Sequence, residues 1–84
     1  MKRSFMTDDK TQDKVRSVVE LVAGVLGISE DELSPDSTLD NPLAWDSLEH
    51  THICLEFERH FGTKLTMDNM MNATSIRALA ALVP

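Results

Sequence analysis

Trp45-Asp46-Ser47-Leu48-Glu49 is where a long irregular segment ends and the strongest amphipathic helix of the chain begins. Asp46 is a good helix N-cap residue. Glu49 stands three positions later, where its carboxylate can reach back to the Asp46 backbone N–H, and together they form the aspartate variant of a capping box. That places Ser47 at the first helical position, its hydroxyl beside unpaired backbone donors and the positive end of the helix dipole. A phosphate ester on this hydroxyl would sit at a favourable electrostatic address. The plain alternative is that Ser47 is a second polar residue at a helix start, where Asp-Ser pairs are common.

Outward from this point, the helix runs from Ser47 to about Phe61, with Gly62 as its stop. At about 100° per residue, Ile53, Cys54, Phe57 and Phe61 share one face with His50 beside them, and these form the core stripe. Cys54, mid-helix among apolar neighbours, reads as inert core packing. Leu48 and Leu55, one heptad apart with Thr51 between them, fall off that stripe on a face near Ser47. Two readings stay open for them: packing against the long loop, or an exposed apolar strip for a partner.

Upstream, Gly27 to Trp45 is a connection too long for so small a domain unless it packs or has a function. Ser29 with Glu32 can cap one short helical turn ending near Leu33, while Pro35 and Pro42 block a continuous helix. Leu33, Leu39 and Leu43 are spaced to pin the segment onto a bundle, so it reads as an ordered loop. The acidic residues Glu30, Asp31, Glu32, Asp36 and Asp40 lack the alternating ligands, central glycine and terminal Glu of a calcium loop and read as a solvated acidic stretch. Before the loop, Val15, Val18, Val19, Val22, Val25 and Leu26 recur at helical spacing, predicting a helix from about Asp8 to Leu26 capped by Gly27. Residues 1–7 are expected to be a flexible tail and 8–84 a single domain.

Downstream, Thr63 to Thr66 is a short extended link. Asp68 starts a brief helical turn, Asn69 to Asn72, with Met70 or Met71 packing inward. Thr74 or Ser75 caps a last helix through Val83, with Ile76, Leu79, Ala80 and Val83 on its inner side. The fold class is therefore all-α: a small four-helix bundle of three main helices and one short helix, with a long ordered loop between the first two main helices.

Composition narrows the function. The 84 residues suffice for one small core but not for a core plus an enclosed catalytic cleft. Phe5, Phe57, Phe61 and Trp45 are the only aromatics, so the core is expected to be mostly aliphatic. A formal net charge of -6 argues against nucleic acid, whose phosphates call for Lys and Arg. No stretch is long and apolar enough to span a bilayer, no basic run suits a membrane surface, and Met1-Lys2-Arg3-Ser4-Phe5-Met6 is not followed by the apolar run of a secretory signal. The cytoplasm is the expected compartment. One cysteine excludes an intramolecular disulfide.

No catalytic residue or metal ligand emerges. Ser47 lacks the glycines of a nucleophile elbow, and no serine has a base-and-orienter set. His52, Glu56 and His60 stand at four-residue steps, a spacing that suits a surface metal site; pairing of Glu56 with either histidine as ordinary helix stabilisation is the favoured reading.

Taken together, the chain resembles the acyl carrier protein family, the phosphopantetheine-attachment domains. The resemblance rests on Asp46-Ser47-Leu48 opening a helix and on the Leu55-Glu56-Phe57-Glu58-Arg59-His60-Phe61-Gly62 ending of that helix. It extends to the Leu33-Ser34-Pro35-Asp36-Ser37-Thr38-Leu39 loop and the Thr74-Ser75-Ile76-Arg77 helix start, and covers roughly residues 13–83. It implies that Ser47 receives 4'-phosphopantetheine from coenzyme A through a separate magnesium-dependent phosphopantetheinyl transferase. The thiol of the arm then carries an acyl or aminoacyl group as a thioester. By the same resemblance Asp46 fixes the helix start and helps hold metal in the transferase complex, while Leu48 lies beside the arm. Leu48, Glu49, Thr51, His52, Leu55, Glu56 and Arg59 become the face met by partner acyltransferases, acyl or aminoacyl ligases and synthases. The protein is then a monomeric carrier and not an enzyme; an aminoacyl or peptidyl carrier and an unmodified helical interaction module are the competing readings.

Two departures stand out. Ala44 occupies a position, two before the Asp, where the family often has glycine. His50, His52, Arg59 and His60 dilute the acidity of Glu49, Glu56 and Glu58, where carriers of fatty acid synthesis tend to have a strongly acidic helix. Partner enzymes read that face electrostatically, so a polyketide, nonribosomal peptide or modified-lipid route is expected rather than general fatty acid synthesis. The length of the chain and Met1 add the expectation of a discrete carrier.

Overall fold

A computed structural model describes residues 5–84, with side chains from Lys10 onward. The valine-rich stretch forms α1, Phe5–Leu26, which buries Val18, Val22 and Ala23 and half-buries Val15, Val19, Val25 and Leu26. The expected tail over 1–7 falls partly on residues 1–4, which lie outside the described residues; Phe5 already belongs to α1. Gly27 ends the helix in the left-handed region at φ 71°, and the Gly27 and Ile28 N–H groups both donate to the Ala23 carbonyl, at 2.8 and 3.1 Å. A residue with a Cβ is disfavoured in that conformation, which is why glycine stands there.

The helix opened by Asp46 is α2, Ser47–Phe61, closed by Gly62 at φ 63°. Its buried residues are His50, Ile53, Cys54 and Phe57, and Phe61 packs against them, its ring centroid 4.7 Å from that of Phe57. Two short helices follow, α3 over Met67–Asn72 and α4 over Ile76–Ala80. α1 packs against both α2 and α4. The all-α four-helix reading holds, with two long and two short helices where three main helices and one short one were expected.

The ends of the short helices differ from expectation for local reasons. α3 starts two residues earlier than predicted because the Thr66 hydroxyl, not Asp68, caps it, accepting from the Asn69 N–H at 3.0 Å. Met70 packs inward and Met71 is exposed. Ser75 caps α4 through the Ala78 N–H at 3.0 Å. The helix stops at Ala80 and not Val83, because the next turn tightens into i→i+3 bonds, Leu82 to Leu79 and Val83 to Ala80. Pro84 disfavours helical geometry at the residue before it, Val83.

The long connection is ordered. Ser29 and Glu32 make the expected capping box around a single 3-10 turn, Glu30–Glu32, and Leu33 beyond it is buried. Further on, the loop is stitched to the start of α4. Leu39 N–H donates to the Thr74 carbonyl at 2.9 Å, Ile76 N–H to Ser37 and Arg77 N–H to Pro35, both at 3.0 Å, and the Thr38 hydroxyl reaches the Thr74 carbonyl at 2.7 Å. Leu39 packs partly against the core, but Leu43 does not: it is 85% exposed. Pro42 to Trp45 forms a turn closed by Trp45 N–H donating to the Pro42 carbonyl at 3.0 Å, which puts Leu43 on the outside of the bend. Trp45 takes the inside place and is the largest fully buried side chain, so the core is less purely aliphatic than expected.

Candidate functional site

The start of α2 is built by its cap. Asp46, extended at φ -101° and ψ -176°, turns Oδ1 onto the Glu49 N–H at 2.8 Å. Ser47, the first residue of α2, is exposed, and its carbonyl accepts from the Thr51 hydroxyl at 3.3 Å. The return half of the capping box is replaced: Glu49 Oε1 lies 3.2 Å from His52 Nδ1 instead of closing on the Asp46 N–H. The carboxylate still stands in the first turn, where it meets the positive end of the dipole.

Behind this surface lies a buried polar relay. Trp45 Nε1–H donates to His50 Nδ1 at 3.0 Å, with the two rings stacked at 5.9 Å and 24°. His50 Nε2 is 2.8 Å from the Met70 carbonyl. A carbonyl only accepts and an indole N–H only donates, so the neutral Nε2–H tautomer of His50 satisfies both. Cys54 Sγ is 3.6 Å from Nε2, and burial, reinforced by the negative charge of Glu58, pushes the Cys54 thiol up from its ordinary value. Sequence reasoning placed His50 beside the core stripe but missed its partner. Trp45 lies across the cap, where helical periodicity says nothing; a donor-only indole just ahead of a histidine was the one available signal.

On the outward side, Leu48 is 64% and Leu55 52% exposed, so neither is packed away against the loop. Thr51, His52 and Arg59 are exposed on the same helix, and Glu49 and Glu56 are half-buried. Glu56 pairs with Arg59 at 3.3 Å and not with a histidine, while His60 meets the Phe61 ring edge-on. Arg59 is three residues from Glu56 and always charged, which makes it the stronger partner. Leu43, Met67 and Met71 add exposed apolar surface that the helical pattern did not reveal. Among the described residues no group of three or more His, Cys, Asp or Glu side chains is placed to hold a metal. Nor is any described helix long and apolar enough to cross a membrane. A groove of about 450 Å³ runs between α1 and α2 beside Leu21, Val25, Glu56 and His60. Along α2 this begins roughly 13 Å from Ser47, at 1.5 Å per residue.

A small helical bundle that presents an exposed, capped serine beside an apolar strip has the makings of a carrier domain. A family model described as "Phosphopantetheine attachment site" matches residues 16–83. The acyl carrier protein of Petrotoga mobilis is 30% identical over 79 residues, covering 83% of this chain and 89% of the relative. That of Buchnera aphidicola subsp. Baizongia pistaciae is 25% identical over 72 residues, covering 86% and 92%. A third, from Chlorobium phaeovibrioides, is 27% identical over 60 residues, covering 71% and 73%. The chain belongs to the acyl carrier protein family. It is a carrier and not an enzyme, and its cofactor is covalent 4'-phosphopantetheine.

Proposed function

We propose that Ser47 is the residue that bears the phosphopantetheine arm. The observation that carries this reading is an exposed hydroxyl at the first position of α2, next to the Asp46 cap. The hydroxyl is open to an incoming transferase, and the helix start offers favourable electrostatics to the phosphodiester that attachment creates. When bound, the arm supplies a thiol on which acyl cargo is held as a thioester. This chain's own residues do the rest: Asp46 sets the helix start, Leu48 and Leu55 offer apolar contact to partner enzymes, and Glu49, Thr51, His52, Glu56 and Arg59 complete the docking face.

The partners in this reading are a phosphopantetheinyl transferase and the acyltransferase, ligase or synthase of a dedicated secondary-metabolite or modified-lipid route, with a monomeric carrier of residues 8–84 acting in the cytoplasm. The pairing of Glu56 with Arg59 supports such a route, because it cancels part of the negative charge on the face that a basic general synthase would read. Intact-protein mass spectrometry after incubation with coenzyme A and a broad-specificity transferase tests the assignment. One phosphopantetheinyl addition, mapped to Ser47 and lost in Ser47→Ala, is expected; an unmodified chain, or addition elsewhere, overturns it.

A further inference from the structure

The outward stripe of α2 has a charge pattern of its own. At about 100° per residue, Leu48, Leu55 and Arg59 fall within about 40° of one another, with His52 next to them. No carboxylate shares that stripe. Glu49 and Glu56 lie about 80–100° round the helix on one side, and Glu58 about 80° round on the other. Glu58 is half-buried, and its Oε2 accepts from the Leu65 N–H at 2.8 Å.

The far end of the stripe opens into a hollow of about 550 Å³, lined by Leu55, Glu58, Arg59, Gly62, Thr63 and Lys64. Leu55, half exposed, gives it an apolar wall. Lys64 is exposed and takes part in no ion pair among the described residues. The ion pair of Arg59 with Glu56 is one contact of 3.3 Å, and with the Arg59 side chain 79% exposed it is worth little in water. The guanidinium can therefore turn to a second carboxylate, which its planar fork takes through two parallel bonds.

We propose that this hollow is a docking subsite for a partner protein segment that presents an apolar side chain flanked by carboxylates. The apolar group seats on Leu55, and the carboxylates meet Arg59 and Lys64. Along the helix axis Leu55 stands about 12 Å from Ser47 and Gly62 about 22 Å. At the other end Asp46 and Glu49 supply negative charge. α2 thus offers acid at its head and base at its tail, and a partner of the reverse polarity docks on it in one direction. A uniformly basic partner surface, suited to a helix acidic throughout, meets like charge at Arg59 and Lys64 and is disfavoured. This role rests on the reading of outward α2 as the docking face, and not on which residue bears the arm.

Two synthetic helix-forming peptides serve as probes. They share one leucine stripe and differ only in the residues beside it, glutamates in one and lysines in the other. Each is titrated at low salt into the full, unmodified, nitrogen-15-labelled chain, and backbone amide shifts are followed by NMR. The glutamate peptide is expected to shift Leu55, Arg59, Gly62 and Lys64. It should bind about fivefold tighter than the lysine peptide, the factor set by two exposed ion pairs, and the preference should shrink as salt is added. Arg59→Gln combined with Lys64→Gln changes two exposed side chains, so far-UV circular dichroism should stay as in the wild type while the preference disappears. Equal affinities, or a tighter lysine peptide, with shifts still on α2 overturn the subsite but keep α2 as the docking face. Shifts from neither peptide at α2 overturn both. A preference that survives in the double variant, or shifts centred on the groove between α1 and α2, also overturn the subsite. Because the chain is unmodified throughout, failure of Ser47 to accept the arm leaves these results standing.

Discussion

A single side chain decides where α2 begins. Asp46 Oδ1 satisfies the Glu49 N–H, and because Glu49 pairs with His52 instead of closing the box, the aspartate carries the cap alone. Asp46→Ala is expected to lower the unfolding free energy in urea by about 1 kcal/mol, and Asp46→Asn, an equally good cap, by much less. Cys54 makes a different prediction. Its thiol is held up first by burial and then by Glu58, so the unfolded chain loses that proton at a lower pH than the folded chain does. The stabilisation is fully present below the ordinary thiol value and is lost as pH climbs from there through the raised folded value. Urea midpoints measured from pH 7 upward should fall in alkali, and the gap between wild type and Cys54→Ala should narrow over the same range.

At the scale of elements, the glycines show how local rules set boundaries. Gly62 ends α2 in the left-handed region, so Gly62→Ala should destabilise the domain by about 1 kcal/mol although a Cβ there meets no neighbour. Gly24 lies inside α1 with equally open space around it, so Gly24→Ala should stabilise by about 0.5–1 kcal/mol in thermal or urea unfolding. The same locality explains what the sequence made legible. The bounds of α2 and the Ser29–Glu32 turn were readable because each cap or stop acts on backbone within four residues of itself. The ends of α3 and α4 were not, since Thr66 and Asp68 are rival caps and a five-residue helix has too few turns to show a period. Of the candidate site, Ser47, Asp46 and the exposed leucines were visible in the pattern; the outward turn of Leu43 and the Trp45–His50 bond depended on a loop conformation that no periodicity encodes.

For the whole molecule, the decisive contacts run between the loop and α4. Four hydrogen bonds join residues 35–39 to residues 74–77, and the Arg77–Asp36 ion pair at 2.8 Å lies outside them in water. Their worth should differ accordingly. Thr38→Val, which removes the half-buried hydroxyl bond to Thr74, is expected to cost about 1 kcal/mol, while Asp36→Ala should cost well under 1 kcal/mol because both partners are exposed. Denaturant unfolding of the two variants side by side checks the order. No reading of either segment alone could have found this seam, because its halves stand some 36 residues apart in the chain. That separation also matters during synthesis. The bonds that Pro35, Ser37, Thr38 and Leu39 make to α4 and its cap have no partner until residues 74–77 have left the ribosome, so this part of the loop settles last, however early the first two helices form. A nascent chain halted before Thr74 would present Ser47 on an unmoored approach, and any enzyme that requires the finished loop must wait for residues 74–77.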